Sequence, residues 1–199
     1  MAVSRLSQST LQNAFSKYNS IWDGKSVVGS MDPIGSILFS TATTGATFYN
    51  IPQTYTHLQV RFLIASVGTN MDWSWIINGV SSGTSYAFRH LKSDGAGPTV
   101  SQIAYTSQPY GYLLRDEYSG GVPNGTYLSG IIDLLDYTNT NKYKTMKATY
   151  CSEQNSLTAG LIKHYSCIYE STSPVTRLDL YNGYLSWGAN SQFSLYGIK

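Results

Sequence analysis

YTHLQVRF, residues 55–62, sets Leu58, Val60 and Phe62 against His57, Gln59 and Arg61. A period of two is the mark of a strand with one buried face, because successive side chains leave a pleated backbone on opposite sides. The polar side carries an imidazole, an amide and a guanidinium. It is the wet side of a sheet, a contact surface or part of an active site, and the rest of the chain has to decide between these.

The same signal recurs from Ile34 to the last residue. SILFS (36–40), ATFYNI (46–51), HLQVRFLIA (57–65), WSWIIN (73–78), SYAFRHLK (85–92), YGYLLR (110–115), TYLSGIIDLL (126–135), KYKTMKATYC (142–151), AGLIKHYSCIYE (159–170), VTRLDLYN (175–182) and SQFSLYGIK (191–199) read as strands. Turn pairs such as Asn78-Gly79, Asp94-Gly95, Asn124-Gly125 and Asn182-Gly183 punctuate them. HLQVRFLIA ends in an apolar run, which predicts burial on both faces at its far end. Residues 93–111 are rich in Gly, Pro, Ser and Thr and read as a long loop or two weak strands. Nine to eleven short strands without a long helix predict an all-β chain. One sheet of that size would leave too much apolar surface bare, so the expected architecture is an antiparallel β-sandwich, jelly-roll-like.

Residues 1–32 differ. They are polar, with no sustained period, and Pro33, Asp23-Gly24 and Gly29-Ser30 interrupt any longer helix. We read residues 1–32 as an extended N-terminal attachment arm and 33–199 as the β-sandwich domain. Leu6, Leu11, Phe15, Ile21 and Trp22 are its apolar anchors, to be buried on the chain's own domain or on a partner.

The composition supports this frame. Among 199 residues, 17 are Tyr and 18 Gly, and only 12% are charged, about half the usual share. Apolar residues make up 42%, enough for a core. A formal charge of +2 without a Lys/Arg cluster argues against a nucleic-acid partner. No apolar run reaches the ~18 residues of a membrane span, and the N-terminus lacks a signal-peptide pattern, so the expectation is synthesis in a cytoplasm and no membrane insertion. Cys151 and Cys167 stand on neighbouring strands and are read as free thiols rather than a disulfide.

Motifs for chemistry are sparse. His57, His90 and His164 fall on three different strands without metal-ligand spacing. No nucleophile elbow or phosphate loop occurs, so no catalytic residue, cofactor or metal is assigned. Asp116, Glu117, Asp133 and Asp136 are the carboxylates a glycosidase pair would draw on. In DYTNTN (136–141), Asp136, Asn139 and Asn141 offer hard oxygens that suit calcium, but Asp and Asn also dominate turns, and the turn reading wins. The aromatics lead further: Tyr105, Tyr110, Tyr112 and Tyr118 form a candidate ligand-contact loop, and Tyr181, Tyr184 and Trp187 bracket the last hairpin.

SRLSQSTLQNAFSKYNSIWDG (4–24), IPQTYTHLQVR (51–61), DYTNTNKYKT (136–145) and QFSLYGIK (192–199), taken together, resemble a family of virion structural proteins of tailed phages, notably marine and cyanobacterial ones, often labelled tail-fibre. The resemblance runs along the chain in order, carries no catalytic motif and leaves residues 93–126 unmatched. It implies a non-enzymatic virion component in a fibre, spike or surface appendage. The implied partners are other virion proteins, a homo-oligomer with a trimer favoured, and a host-surface glycan as candidate ligand. Head decoration and a host-polysaccharide depolymerase are the alternatives.

Overall fold

The computed structural model describes residues 31–67, 73–93, 100–114, 125–153, 160–183 and 186–199. The arm anchors Leu6, Leu11, Phe15, Ile21 and Trp22, together with Tyr118, Asp116, Glu117 and Tyr184, lie outside them. Twelve strands run β1 (Met31–Leu38), β2 (Gly45–Phe48), β3 (His57–Ala65), β4 (Trp73–Ile77), β5 (Tyr86–Ser93), β6 (Ser101–Gln108), β7 (Gly111–Leu114), β8 (Tyr127–Leu135), β9 (Lys144–Glu153), β10 (Gly160–Tyr169), β11 (Leu178–Asn182) and β12 (Gln192–Ile198). They form two antiparallel sheets, an eight-stranded one ordered β1-β12-β3-β8-β9-β10-β5-β6 and a four-stranded one ordered β2-β11-β4-β7. The chain is an all-β sandwich.

The opening stretch is β3 and its onset. Leu58, Val60, Phe62 and Ile64 are buried, while His57, Gln59, Arg61 and Leu63 face away from the second sheet. The expected burial on both faces is reached only at the far end of β3: Leu63 is still exposed, but the consecutive residues Ile64, Ala65 and Ser66 are all buried. Residues 101–108, expected as loop or weak strands, form one full edge strand. Only Ile103, Tyr105 and Gln108 on it are even half-buried, which is why its alternation is faint. The ladder between β5 and β6 slips near Ser107, whose φ is 57°, and a bulge of this kind blunts an edge against further pairing.

β1 begins at Met31, two residues before the boundary expected for the arm. Pro33 does not stop it. As an edge strand β1 pairs on one side only, and its register shifts between Pro33 and Gly35, where a missing N–H is tolerated. Asn78-Gly79 makes the expected tight turn, with both φ angles positive, but the following strand β5 joins the other sheet. Asn78 Oδ1 accepts from the Thr176 and Arg177 N–H groups (2.9 and 3.1 Å) and its Nδ2 donates to the Pro174 carbonyl (2.8 Å), tying this crossover to the chain before β11.

Aromatic side chains fasten the sheets together. Trp73 of β4 meets Phe62 edge-on at 4.5 Å, and Trp187 packs on Phe193 at 4.7 Å. At the other flank Trp75 meets Tyr86 at 5.7 Å, and the Tyr86 hydroxyl accepts from the Ile77 N–H and donates to the Val80 carbonyl, 3.0 Å each. Burial pushes the Tyr86 hydroxyl pKa far up, so it stays protonated and keeps donating. Trp187, read in the sequence as a hairpin aromatic, is fully buried. The two thiols are free: Cys151 points outward from β9, whereas Cys167 points into the core from β10.

Candidate functional site

The outer face of the large sheet gathers seven of the exposed large apolar side chains of the described residues. Strand register lays them out in rows. One row runs Leu38, Gln192, Leu63, Ser129, Cys151, Ile162 across β1, β12, β3, β8, β9 and β10. The next runs Arg61, Ile131, Thr149, His164, Leu91 across β3, β8, β9, β10 and β5. A third runs Gln59, Asp133, Lys147, Ser166, Arg89. Leu38 (66% exposed), Ile162 (65%) and Leu91 (49%) stand bare on this face, joined by Leu63, Tyr127, Ile131 and Ile168.

The β3 side of the face is internally paired. Gln59 Nε2 donates to Asp133 Oδ1 at 2.8 Å, Arg61 Nε donates to Gln59 Oε1 at 2.9 Å, and the Arg61 guanidinium lies 5.3 Å over the Tyr196 ring. The β5 side is not. Among the described residues Arg89 makes no ion pair. It lies on a groove of about 590 Å³ over β10, β5 and β6 with Leu91, Gln102, Ala104, His164 and Ser166. His164 Nδ1 is 2.8 Å from the Thr149 hydroxyl, which sets its ring. A cation between aliphatic side chains suits a partner's carboxylate set in an apolar surround.

The sequence carried a signal for this face in β10. Ile162 and Ile168 share the parity of His164 and Ser166, while Lys163 shares that of Tyr165, Cys167 and Tyr169. The structure puts Lys163 inside, 1% exposed, and the isoleucines outside. That inversion of polarity marks a strand whose outward face is not simply wet. His90 also points inward and is buried; His57 accepts the Asp136 N–H at Nδ1 (2.9 Å). The three histidines therefore do not converge.

Of the expected tyrosine loop, Tyr118 lies outside the described residues and the other three do not share one loop. Tyr105 is on β6, half-buried, with its ring 4.9 Å from Phe88. Tyr112 is on β7 and buried, 5.7 Å from Phe88. Both are corrected from loop contacts to packing residues, because their strands turn them onto the β5 side of the core. Tyr110 is half-buried against the core, edge-on to Tyr112 at 5.1 Å, with part of its ring at the surface. It shares a groove of about 300 Å³ on the small sheet with Ser74, Ile76, Ser81, Tyr181 and Gly183. The charges next to this groove are paired through one carboxylate oxygen: Arg177 Nη2 meets Asp179 Oδ1 at 2.8 Å, Thr47 Oγ1 donates to the same oxygen, and Arg177 lies 5.0 Å over the Tyr49 ring, while Asp179 Oδ2 is buried without a hydrogen-bond partner among the described residues.

The loop after β8 is a turn, with the Asn139 N–H on the Asp136 carbonyl (3.0 Å). Its oxygens are already engaged. Buried Lys144 donates to the carbonyls of Asn139, Lys142 and Thr172, Asn139 Oδ1 accepts from the Asn141 N–H, and Asp136 pairs with Lys142. An ammonium occupies the place where a hard cation would have needed those carbonyls. Of the four carboxylates considered for glycan cleavage, Asp133 is bonded to Gln59, and Asp136 to Lys142 beside His57.

No family model matches the chain, and no curated protein matches it. Two solved structures align with it, both of variants of the alginate lyase Aly36B. One, holding an alginate tetrasaccharide, is 13% identical over 80% of this chain and 78% of the other, with a TM-score of 0.24. The second, holding an alginate trisaccharide, is 11% identical over 100% of this chain and 95% of the other, with a TM-score of 0.27. At these values the likeness carries neither fold nor function to this chain.

Proposed function

We propose that this protein is a non-enzymatic structural component of a symmetric assembly, with the outer face of the large sheet as its contact surface. The observation that carries the reading is the group of seven exposed large apolar side chains on that one face, with Arg89 beside them. Exposed apolar side chains gathered on one face of a folded protein mark an interaction site, and aliphatic side chains with an arginine among small polar groups are the ordinary anatomy of a subunit interface. The sequence resemblance supplies the setting: a fibre, spike or other appendage of a tailed phage virion, with head decoration as the alternative position. A trimer is the favoured state, with residues 1–32 as the attachment arm to another virion protein.

The test is the mass of the full chain in solution by light scattering, native and as Ile131→Lys/Ile162→Lys. Each isoleucine, once fully covered, contributes roughly 1.5–3 kcal/mol. Losing both weakens self-association by roughly 100- to 10,000-fold. The expected outcome is an oligomer for the native chain and a folded monomer for the double variant. A native chain that stays monomeric at high concentration, or an oligomer indifferent to both lysines, overturns the reading.

A further inference from the structure

We propose that the groove between Tyr110 and Tyr181, on the outer face of the small sheet, is a binding site for an uncharged saccharide. It lies on the opposite side of the sandwich from the surface assigned to assembly, and it stands whether or not that assignment holds.

The argument starts from what lines the groove. Tyr181 of β11 is 44% exposed and directly opposite Ser74 of β4, with Gly45 of β2 on its other side. Ile76 leaves the same strand two residues on, so hydroxyl and aliphatic groups alternate along the groove. Tyr110 is fixed by its edge-on contact with Tyr112, which is itself packed against Phe88. One wall is thus rigid and the other, Tyr181, is open to solvent. A pyranose ring has an apolar C–H face and a rim of hydroxyls. Tyrosine rings offer flat apolar area with a polar tip for the first, and the exposed Ser81 hydroxyl and the tyrosine hydroxyls both donate and accept for the second, with the buried Ser74 at the floor.

Charge selects the ligand class. Among the described residues the groove lining contains no Asp, Glu, Lys or Arg, and the nearby Arg177 is paired with Asp179. A carboxylate or sulfate entering it would lose water without gaining a counter-charge. The volume, about 300 Å³, is at the lower limit of small-ligand sites and fits one or two sugar rings rather than a long polymer.

The experiment is saturation-transfer difference NMR on the full chain with maltose, cellobiose and lactose as probes and digalacturonate as the charged control. The expected result is saturation transfer to at least one neutral disaccharide and none to digalacturonate. Tyr181→Ala should weaken that binding about tenfold, and Tyr181→Phe, which keeps the ring, should stay within about threefold of the native chain. Three results overturn the proposal: no transfer to any of the neutral sugars, equal or stronger transfer to digalacturonate, or native affinity in Tyr181→Ala.

Discussion

At the scale of single residues, the loop after β8 holds the clearest electrostatics. The hydrogen bond from Lys142 holds the Asp136 carboxyl below its ordinary range against the opposing effect of burial, with lesser help from the fields of Lys142, His57 and Lys144. A carboxyl whose folded pKa is depressed contributes stability above its unfolded pKa and loses it as pH falls through the folded value. The native chain should therefore lose stability on acidification from about pH 6 to pH 3 more steeply than Asp136→Asn, as read by urea midpoints across that range. Equal slopes would mean that Lys142 screens nothing in the folded state. The turn itself was readable from DYTNTN, because Asp and Asn bond their own backbone locally. The role of Lys144 was not, since one of its carbonyl partners belongs to Thr172, 28 residues away.

Among the elements, β8 shows how much a strand depends on one missing side chain. A Cβ at Gly130 would lie 2.4 Å from Tyr150 Cβ, 2.5 Å from the Thr149 carbonyl oxygen and 2.7 Å from Phe62 Cζ. Two of these contacts involve backbone or a first side-chain carbon, which cannot swing aside. Gly130→Ala should destabilise the fold by about 2–3 kcal/mol, measurable as a lower denaturant midpoint at unchanged slope. A neutral effect would require β8 to move away from β3 and β9. TYLSGIIDLL read as a strand without marking this glycine, because the side chains that close over it come from positions 68 residues before and 20 after. Strands with strong alternation, such as β3 and β5, were legible with nearly correct bounds. The edge strand β6 was not, because an edge lying over little core has few apolar positions to reveal it.

For the whole molecule, the two-sheet sandwich followed from the number of amphipathic strands, whereas strand order needed contacts that no local pattern encodes. The two proposed contact surfaces were hidden for the same reason. Tyr110 and Tyr181 are 71 positions apart, and the tyrosines nearest Tyr110 along the chain turned out to be packing residues. The thiols give the assembly a direct readout. Cys151 sits within the apolar row between Ser129 and Ile162, and Cys167 is buried, its thiol held protonated chiefly by desolvation. In the native oligomer Cys151 should react slowly with a maleimide; in Ile131→Lys/Ile162→Lys it should react quickly, with Cys167 silent in both until the chain unfolds. Fast labelling of Cys151 in a native oligomer would place the subunit contact elsewhere. One further consequence lies in β12, which sits between β1 and β3 and pairs with both. During synthesis β3 leaves the ribosome more than a hundred residues ahead of β12, a delay on the order of ten seconds. Throughout that interval one side of β3 lacks its strand partner, and its amides and carbonyls are held by water alone, next to the apolar positions of the future core. The nascent chain is thus a natural client for a chaperone, and the large sheet closes only as the last strand arrives.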